Sequence, residues 1–448
     1  MQALLKRNRL EYCAMFLALL LSIACAARGL VYDDLLIVGL CFSVPLMWFS
    51  FSDDYKAHPF FAKLGLWVVT VFLLWSGLQW VLVTSIDISA WQSSVSRVIF
   101  VATIGFIALQ VGSSVSASRL FFLSLLLLSI IMVCISFFLH RSEVSLISTY
   151  YAYEFINPNN AASYLGVMLI ICISQLHSLI RQHMKGAGQS IAERIENMKL
   201  SIVIQILLVL FGCVLFLAAL FLTGSRGGVI ISLAVCGPLF IGLILKRRMS
   251  RGIKKRSLSL FFGSVLTALV MGWVFNQHGS GLMQDILVQG LDGDVRPELF
   301  EAVIPMIMDQ PILGHGLGGF ASHFQPYRSE VMPVEGLYDK AHSHYLELAA
   351  EMGLIVFGGV LLVAVIVLRQ FIVAIRTRKK HYAIPSMGIA VLTLMALHST
   401  IDFPLQIPAI LALVTSVLVI SVVQSDKHYI LSRSNKSRKK ARKRVRTV

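Results

Sequence analysis

The stretch Ala341-His-Ser-His-Tyr-Leu-Glu-Leu-Ala-Ala-Glu-Met-Gly353 puts two histidines, His342 and His344, where a polar loop runs into an apolar segment long enough to cross a bilayer. An imidazole titrates near neutrality, so either ring is suited to take a proton from a hydroxyl group. Glu347 lies about one helical turn further on, where a carboxylate can orient a ring. Two plainer readings stand beside this one. The histidines are a hydrogen-bonded interfacial pair, or, with Glu347 and Glu351, they ligate zinc. The spacing departs from His-Glu-x-x-His, which speaks against zinc.

Three further ionisable residues complete the set. Arg226 sits in Thr223-Gly-Ser-Arg-Gly-Gly228, at the start of another apolar segment. Glycine-flanked N–H groups at a helix start attract anions, and a guanidinium adds a planar fork for phosphate oxygens. The alternative is an arginine snorkelling to lipid head groups. Arg296 is surrounded by Asp292, Asp294 and Glu298, so it either binds an anion or makes local salt bridges. Asp402, in His398-Ser-Thr-Ile-Asp-Phe-Pro404, pairs with an arginine, accepts from a sugar hydroxyl, or simply ends a helix. The run Asn157-Pro-Asn-Asn160 caps the next helix or binds sugar, capping being the simpler role.

These residues must be positioned by membrane helices. The 448-residue chain is 57% hydrophobic and only 14% charged, with a mean hydropathy of +0.78. Soluble domains carry nearer a quarter charged residues. The expected fold is an all-α polytopic membrane protein with about twelve transmembrane helices. They fall near 12–30, 35–51, 64–84, 98–114, 120–139, 161–177, 200–222, 228–245, 257–275, 346–368, 384–400 and 407–424. With both termini in the cytoplasm and the spans alternating, 32 of the 39 Lys and Arg residues fall inside. The exceptions are Arg28, Arg97, Arg141, Arg226, Arg296, Arg328 and Lys340. That asymmetry is the positive-inside signature, and it sends every candidate site residue to the outer face.

The net charge of +16 is therefore a sidedness signal. The tail 426–448 is basic but has no interleaved aromatics, which fits contact with anionic lipid and argues against nucleic acid. All seven cysteines lie within predicted spans, so neither a disulfide framework nor a cysteine metal site is expected. The first apolar run is long for a signal peptide and is expected to remain as the first helix.

The organisation is then spans one to nine over 1–275, a long outer loop over 276–343, spans ten to twelve over 344–425 and the cytoplasmic tail. Within the loop, Leu299, Phe300, Val303, Ile304 and Ile307 predict an amphipathic helix over 292–310, lying on the outer leaflet and bent at Pro305. The glycines of Pro311-Ile-Leu-Gly-His-Gly-Leu-Gly-Gly-Phe320 permit close backbone approach to a partner.

The order Thr223-Gly-Ser-Arg-Gly-Gly, Arg296-x-x-Leu-Phe, Pro311-Ile-Leu-Gly-His-Gly-Leu-Gly, His342-Ser-x-Tyr-Leu-Glu…Gly353 and His398-Ser…Asp402-Phe resembles the O-antigen ligase/O-antigen polymerase family, the Wzy_C-type membrane proteins. The resemblance covers about 155–405. Two departures weaken a ligase identity: Val356 stands where the ligase pattern has Gly, Thr or Tyr, and Arg296 precedes Leu299 by three positions where the pattern has four. The Asp402-Phe-Pro ending resembles polymerases of capsules and exopolysaccharides.

The resemblance implies metal-independent glycosyl transfer, without a cofactor, from an undecaprenyl diphosphate-linked oligosaccharide at the periplasmic face of the inner membrane. The acceptor would be a growing glycan or lipid A-core, and a flippase and chain-length regulator would be partners. By the same analogy Arg226 and Arg296 hold the diphosphate and His342 activates the acceptor hydroxyl. Ser225, His315, His344, Tyr345, Glu347 and Asp402 are the expected substrate contacts. A multi-pass transporter is the competing class, with a scaffold for polysaccharide export behind it. A transporter predicts polar residues at mid-membrane and internal repeats, whereas here the charges crowd at one face and no repeat is visible.

Overall fold

The computed structural model describes residues 2–51, 59–83, 86–142, 155, 157–183, 196, 198–246, 296–329, 332, 338–378 and 381–426. Among them are thirteen α-helices and no strand. They are α1 (Gln2–Ala26), α2 (Asp33–Ser50), α3 (Pro59–Leu82), α4 (Ile88–Gly112), α5 (Val115–Ser142), α6 (Pro158–His183), α7 (Leu200–Leu222), α8 (Arg226–Lys246), α9 (Arg296–Asp309), α10 (Phe320–His323), α11 (His344–Thr377), α12 (Ala383–His398) and α13 (Pro408–Ser425). Ten are long and apolar enough to span a bilayer, and α12 is an apolar helix of 16 residues. The helical form follows from the solvent: hydrocarbon offers no partner for N–H or C=O groups, and a helix satisfies them internally. Eleven of the twelve expected spans thus correspond to helices, and the one at 257–275 lies outside the described residues.

The helices are unequally enclosed. In α6, 83% of the span is buried, against 6% in α3. Helix α6 is the central strut, in contact with α7, α8 and α12; α12 in turn packs on α8, α11 and α13. Small residues let these backbones approach, as membrane helix pairs require. A Cβ on Gly228 of α8 would lie 2.4 Å from the Ala162 Cβ of α6, so the start of α8 is pressed directly against the start of α6.

The amphipathic helix expected within 276–343 is α9. Its inward residues Leu299, Ala302, Val303, Met306 and Ile307 form a small core with Phe320, Phe324, Ala349 and Ala350, so this apolar face is covered by protein. Ile304, expected on the same face, is exposed together with Met308. The helix continues through Pro305.

Helix α11 is broken at Gly353, with φ 75° and ψ 167°. A Cβ there would stand 1.9 Å from the Ile312 carbonyl oxygen. The break frees carbonyls for pairing. His315 N–H donates to Ala350 O at 2.9 Å and Gly316 N–H to Glu351 O at 3.0 Å, while Leu354 N–H donates to Pro311 O at 2.8 Å. Trp75 Nε1–H from α3 donates to Met352 O at 3.0 Å and Gln79 Nε2–H to Glu351 O at 2.7 Å. The partner of the glycine-rich turn is therefore α11 itself. The segment His344–Met352 is in this way fixed as a separate short arm, carrying its first turn to the ends of α6 and α12.

Candidate active site

Asp402 lies in the turn after α12 and is 1% exposed. A buried carboxylate needs compensation, and five groups supply it. Asn159, in the first turn of α6, donates its Nδ2–H to Oδ2 in a short hydrogen bond. The Phe403 N–H donates to Oδ1 at 2.8 Å. His342 Nδ1 stands 3.7 Å from Oδ1 and Arg296 Nη2 stands 3.9 Å from Oδ2. Both distances exceed a hydrogen bond, so these two contacts are electrostatic. His398, one turn back on α12, adds a further favourable field. Burial alone would raise the Asp402 pKa, but the facing His342 ring, the Phe403 N–H and His398 outweigh it and hold the carboxyl below its usual value.

The network continues from Asn159 to α8. Ser225 Oγ donates to Asn159 Oδ1 at 2.6 Å and accepts from Gly228 N–H at 3.1 Å, which makes Ser225 the N-cap of α8. Arg226 is the first residue of that helix and is exposed. Gly227 and Gly228 mainly serve close packing: a Cβ on Gly227 would lie 2.5 Å from Ile401 Cδ1. Asn157 Oδ1 accepts from Asn159 N–H at 2.8 Å, so it caps α6 as expected from the sequence.

His342 is held at φ +48°, a region uncommon for residues other than glycine and concentrated at functional sites. Its ring meets Phe403 edge-on, with centroids 5.2 Å apart. The next turn is pinned by the backbone: His344 N–H lies 3.0 Å from Ser399 O and 3.2 Å from Asp402 O. Glu347, expected to orient a histidine, instead accepts from Ala341 N–H at 2.8 Å and from Lys340 Nζ at 3.3 Å. Burial opposes the Lys340 charge, but Glu347 and Glu351 prevail and raise its pKa. Glu347 therefore holds the backbone leading into His342, and the carboxylate facing that ring is Asp402.

The structure thus brings His342, Arg296 and Asp402 together, with Ser225 tied to them through Asn159 and Arg226 next to Ser225. Besides Glu347, two expected contacts point elsewhere. His315 is buried, and its Nε2 pairs with Met306 O of α9 at 2.8 Å; burial lowers its pKa. The Tyr345 hydroxyl donates to Ala396 O at 2.9 Å. Asn159 is the residue whose role the sequence left open between cap and ligand. A second buried pair, Ser163 Oγ and His398 Nδ1 at 2.6 Å, joins α6 to α12 just behind Asp402. The signal for both was polar side chains on the first turns of a helix otherwise made to be buried. Among the described residues no three His, Cys, Asp or Glu side chains are grouped as metal ligands.

No curated protein matches the chain. The family model described as O-antigen ligase matches residues 211–363. The matched segment contains Arg226, Arg296, His342 and Gly353; Asn159, His398 and Asp402 lie outside it and complete the cluster. Together with the polytopic helical fold and the ordered motifs, this match over about a third of the chain supports a likeness to the O-antigen ligase/O-antigen polymerase family of membrane proteins.

Proposed function

We propose that this protein is a membrane glycosyltransferase that joins undecaprenyl diphosphate-linked repeat units of an O-antigen, capsule or exopolysaccharide at the periplasmic face of the inner membrane. The observation that carries the reading is the convergence of His342, Asp402 and Arg296 from three separate segments.

The chemistry follows from the geometry. With Nδ1 turned to Asp402, the proton of neutral His342 belongs on Nδ1, and Nε2 is left as the base. The acceptor hydroxyl gives its proton to Nε2 as its oxygen bonds to the anomeric carbon. The bond from that carbon to the phosphate oxygen breaks, with inversion, and the lipid diphosphate departs. Arg226 and Arg296 neutralise the charge that develops on the diphosphate. Asp402 stabilises the imidazolium. Every catalytic group in this scheme is a side chain of the protein, and the scheme invokes no metal.

A second reading has its own observation: the matching family model carries the ligase description, under which the acceptor is lipid A-core. The glycan banding pattern of a deletion strain separates the two. Loss of polymer with single repeats retained supports the polymerase; polymer retained on the lipid carrier supports the ligase. The sidedness is tested at Ser322, which is exposed beside Asp87. Ser322→Cys should react in whole cells with a thiol reagent that cannot cross the inner membrane. Reaction only after lysis refutes the topology.

A further inference from the structure

Helix α9 carries a second apolar stripe besides the face that it buries in protein. Ile304 and Met308, one turn apart, and Ile312, just past the helix end, are all exposed, Met308 by 66% and Ile312 by 60%. Large apolar side chains that recur every four residues make a surface that water disfavours. What covers them depends on the level of α9 relative to the bilayer.

Two helices give that level. After the break at Gly353, the first charged residue of α11 is Arg369, which is exposed. At about 1.5 Å per residue, Leu354 and Arg369 are roughly 22 Å apart along the helix, against about 30 Å of hydrocarbon. The hydrocarbon therefore reaches past Leu354, toward α9. Helix α3 agrees. Trp75 donates to Met352 O and so stands level with the break. Trp80, five residues on, is exposed and stacks on Trp91 with centroids 5.9 Å apart. Tryptophans collect where a membrane meets water, and Trp80 lies about 7.5 Å beyond Trp75 along α3.

The end of α9 is tied to the same level. Leu354 N–H donates to Pro311 O at 2.8 Å, and the Ile312 carbonyl lies against Gly353. Met306 and Ile307 share a core with Ala349 and Ala350, one turn before the break. Ile312 thus adjoins Leu354 and Ile355, which are exposed and begin the side of α11 that continues with exposed Leu361, Leu362 and Val365. That side belongs to a membrane-spanning segment and faces lipid. The stripe on α9 extends it.

We infer that α9 is seated in the bilayer interface through Ile304, Met308 and Ile312, with lipid as the partner that covers this face. Met308 and Ile312 enter the boundary of the acyl chains. Glu301, exposed nearer the start of the helix, stays among head groups and water. Arg296 is the first residue of the same helix, so the seat also sets the height of its guanidinium over the membrane. The seat stands independently of the glycosyltransferase reading.

The test uses full-length protein in phosphatidylethanolamine–phosphatidylglycerol liposomes, with Cys41→Ser and Cys134→Ser removing the two exposed thiols. A nitroxide is attached singly at Met308→Cys and at Ile312→Cys, and the parent without an added cysteine gives the background. Two further positions serve as references: Leu362→Cys on the spanning part of α11, and Ser322→Cys, exposed beside Asp87. Spin-relaxation measurements compare collisions with oxygen, which concentrates in hydrocarbon, and with a neutral nickel chelate, which stays in water. Met308 and Ile312 should favour oxygen several-fold, as Leu362 does, while Ser322 favours the chelate. A variant that does not fold is replaced by Ile304→Cys, which must give the same order. Preference for the chelate at the stripe positions overturns the inference, because the face is then in water. Low collision with both reagents also overturns it, because protein, either another segment of this chain or a second copy, then covers the face.

Discussion

Asp402 faces His342 Nδ1 at 3.7 Å from a position that is 1% exposed. One carboxylate therefore touches both the proposed base and, through Arg296 at 3.9 Å, the proposed diphosphate clamp. Asp402→Asn keeps the shape and removes the charge that fixes the ring tautomer, so transfer should fall about 100-fold or more. Because the folded-state pKa of Asp402 is depressed, its contribution to stability is present above the unfolded value near 3.9 and is lost as the pH falls through the folded value. The melting deficit of Asp402→Asn should thus persist at pH 7 and pH 5 and close only below about pH 4. A deficit that closes between pH 7 and pH 5 would contradict a buried, ionised Asp402.

The two arginines should be needed for chemistry more than for folding. Arg226→Ala and Arg296→Ala should each abolish polymer formation at normal protein levels. Lysine should rescue poorly at both positions, since it offers a point charge where a fork is required. Full activity in both alanine variants rules out the clamp.

Asn159 should matter through its neighbours. It donates to Asp402 and accepts from Ser225, so Asn159→Ala leaves one buried acceptor and one buried donor short of a partner, at a cost of about 1–3 kcal/mol. Asn159→Asp should be worse, because it sets a carboxylate against a carboxylate. Thermal unfolding of the two variants in detergent gives the order; an aspartate variant as stable as wild type breaks the assigned network.

The break in α11 should be intolerant of a side chain. Gly353→Ala meets both a positive φ and the Ile312 carbonyl oxygen, and should cost about 2 kcal/mol or more. Gly358→Ala, five residues on, meets nothing within 4 Å and should be neutral or stabilising by up to about 1 kcal/mol. Equal melting temperatures for the two variants would remove the case for a specific kink.

The spans were legible because hydrocarbon solvent imposes long apolar runs, and the gathering of His342, Arg226, Arg296 and Asp402 at one end of the helices was legible because alternating spans put their loops on the same side. The contacts within the cluster were not. Asn159 reads equally well as a cap, since Asn157 beside it is one; only the approach of α8 to α6 at Gly228 brings Ser225 and Asp402 to its two ends. His315 was expected as a substrate contact only by the family resemblance. The positive-φ turns at Gly314 and Gly316 set its direction, and they are fixed by docking onto α11, which local sequence does not encode. Glu347 had the right spacing to reach a histidine, but the backbone strain at His342 gives the ring to Asp402.

The central claim, that His342 removes the acceptor proton in a metal-free transfer, is tested most directly by the rate of glycan transfer from undecaprenyl diphosphate-linked repeat units by purified full-length protein. His342→Ala should lower that rate by about 100- to 10,000-fold with donor binding retained, and EDTA should leave the wild type unchanged. A normal rate in His342→Ala, or wild-type activity stopped by EDTA and restored by zinc, would contradict it.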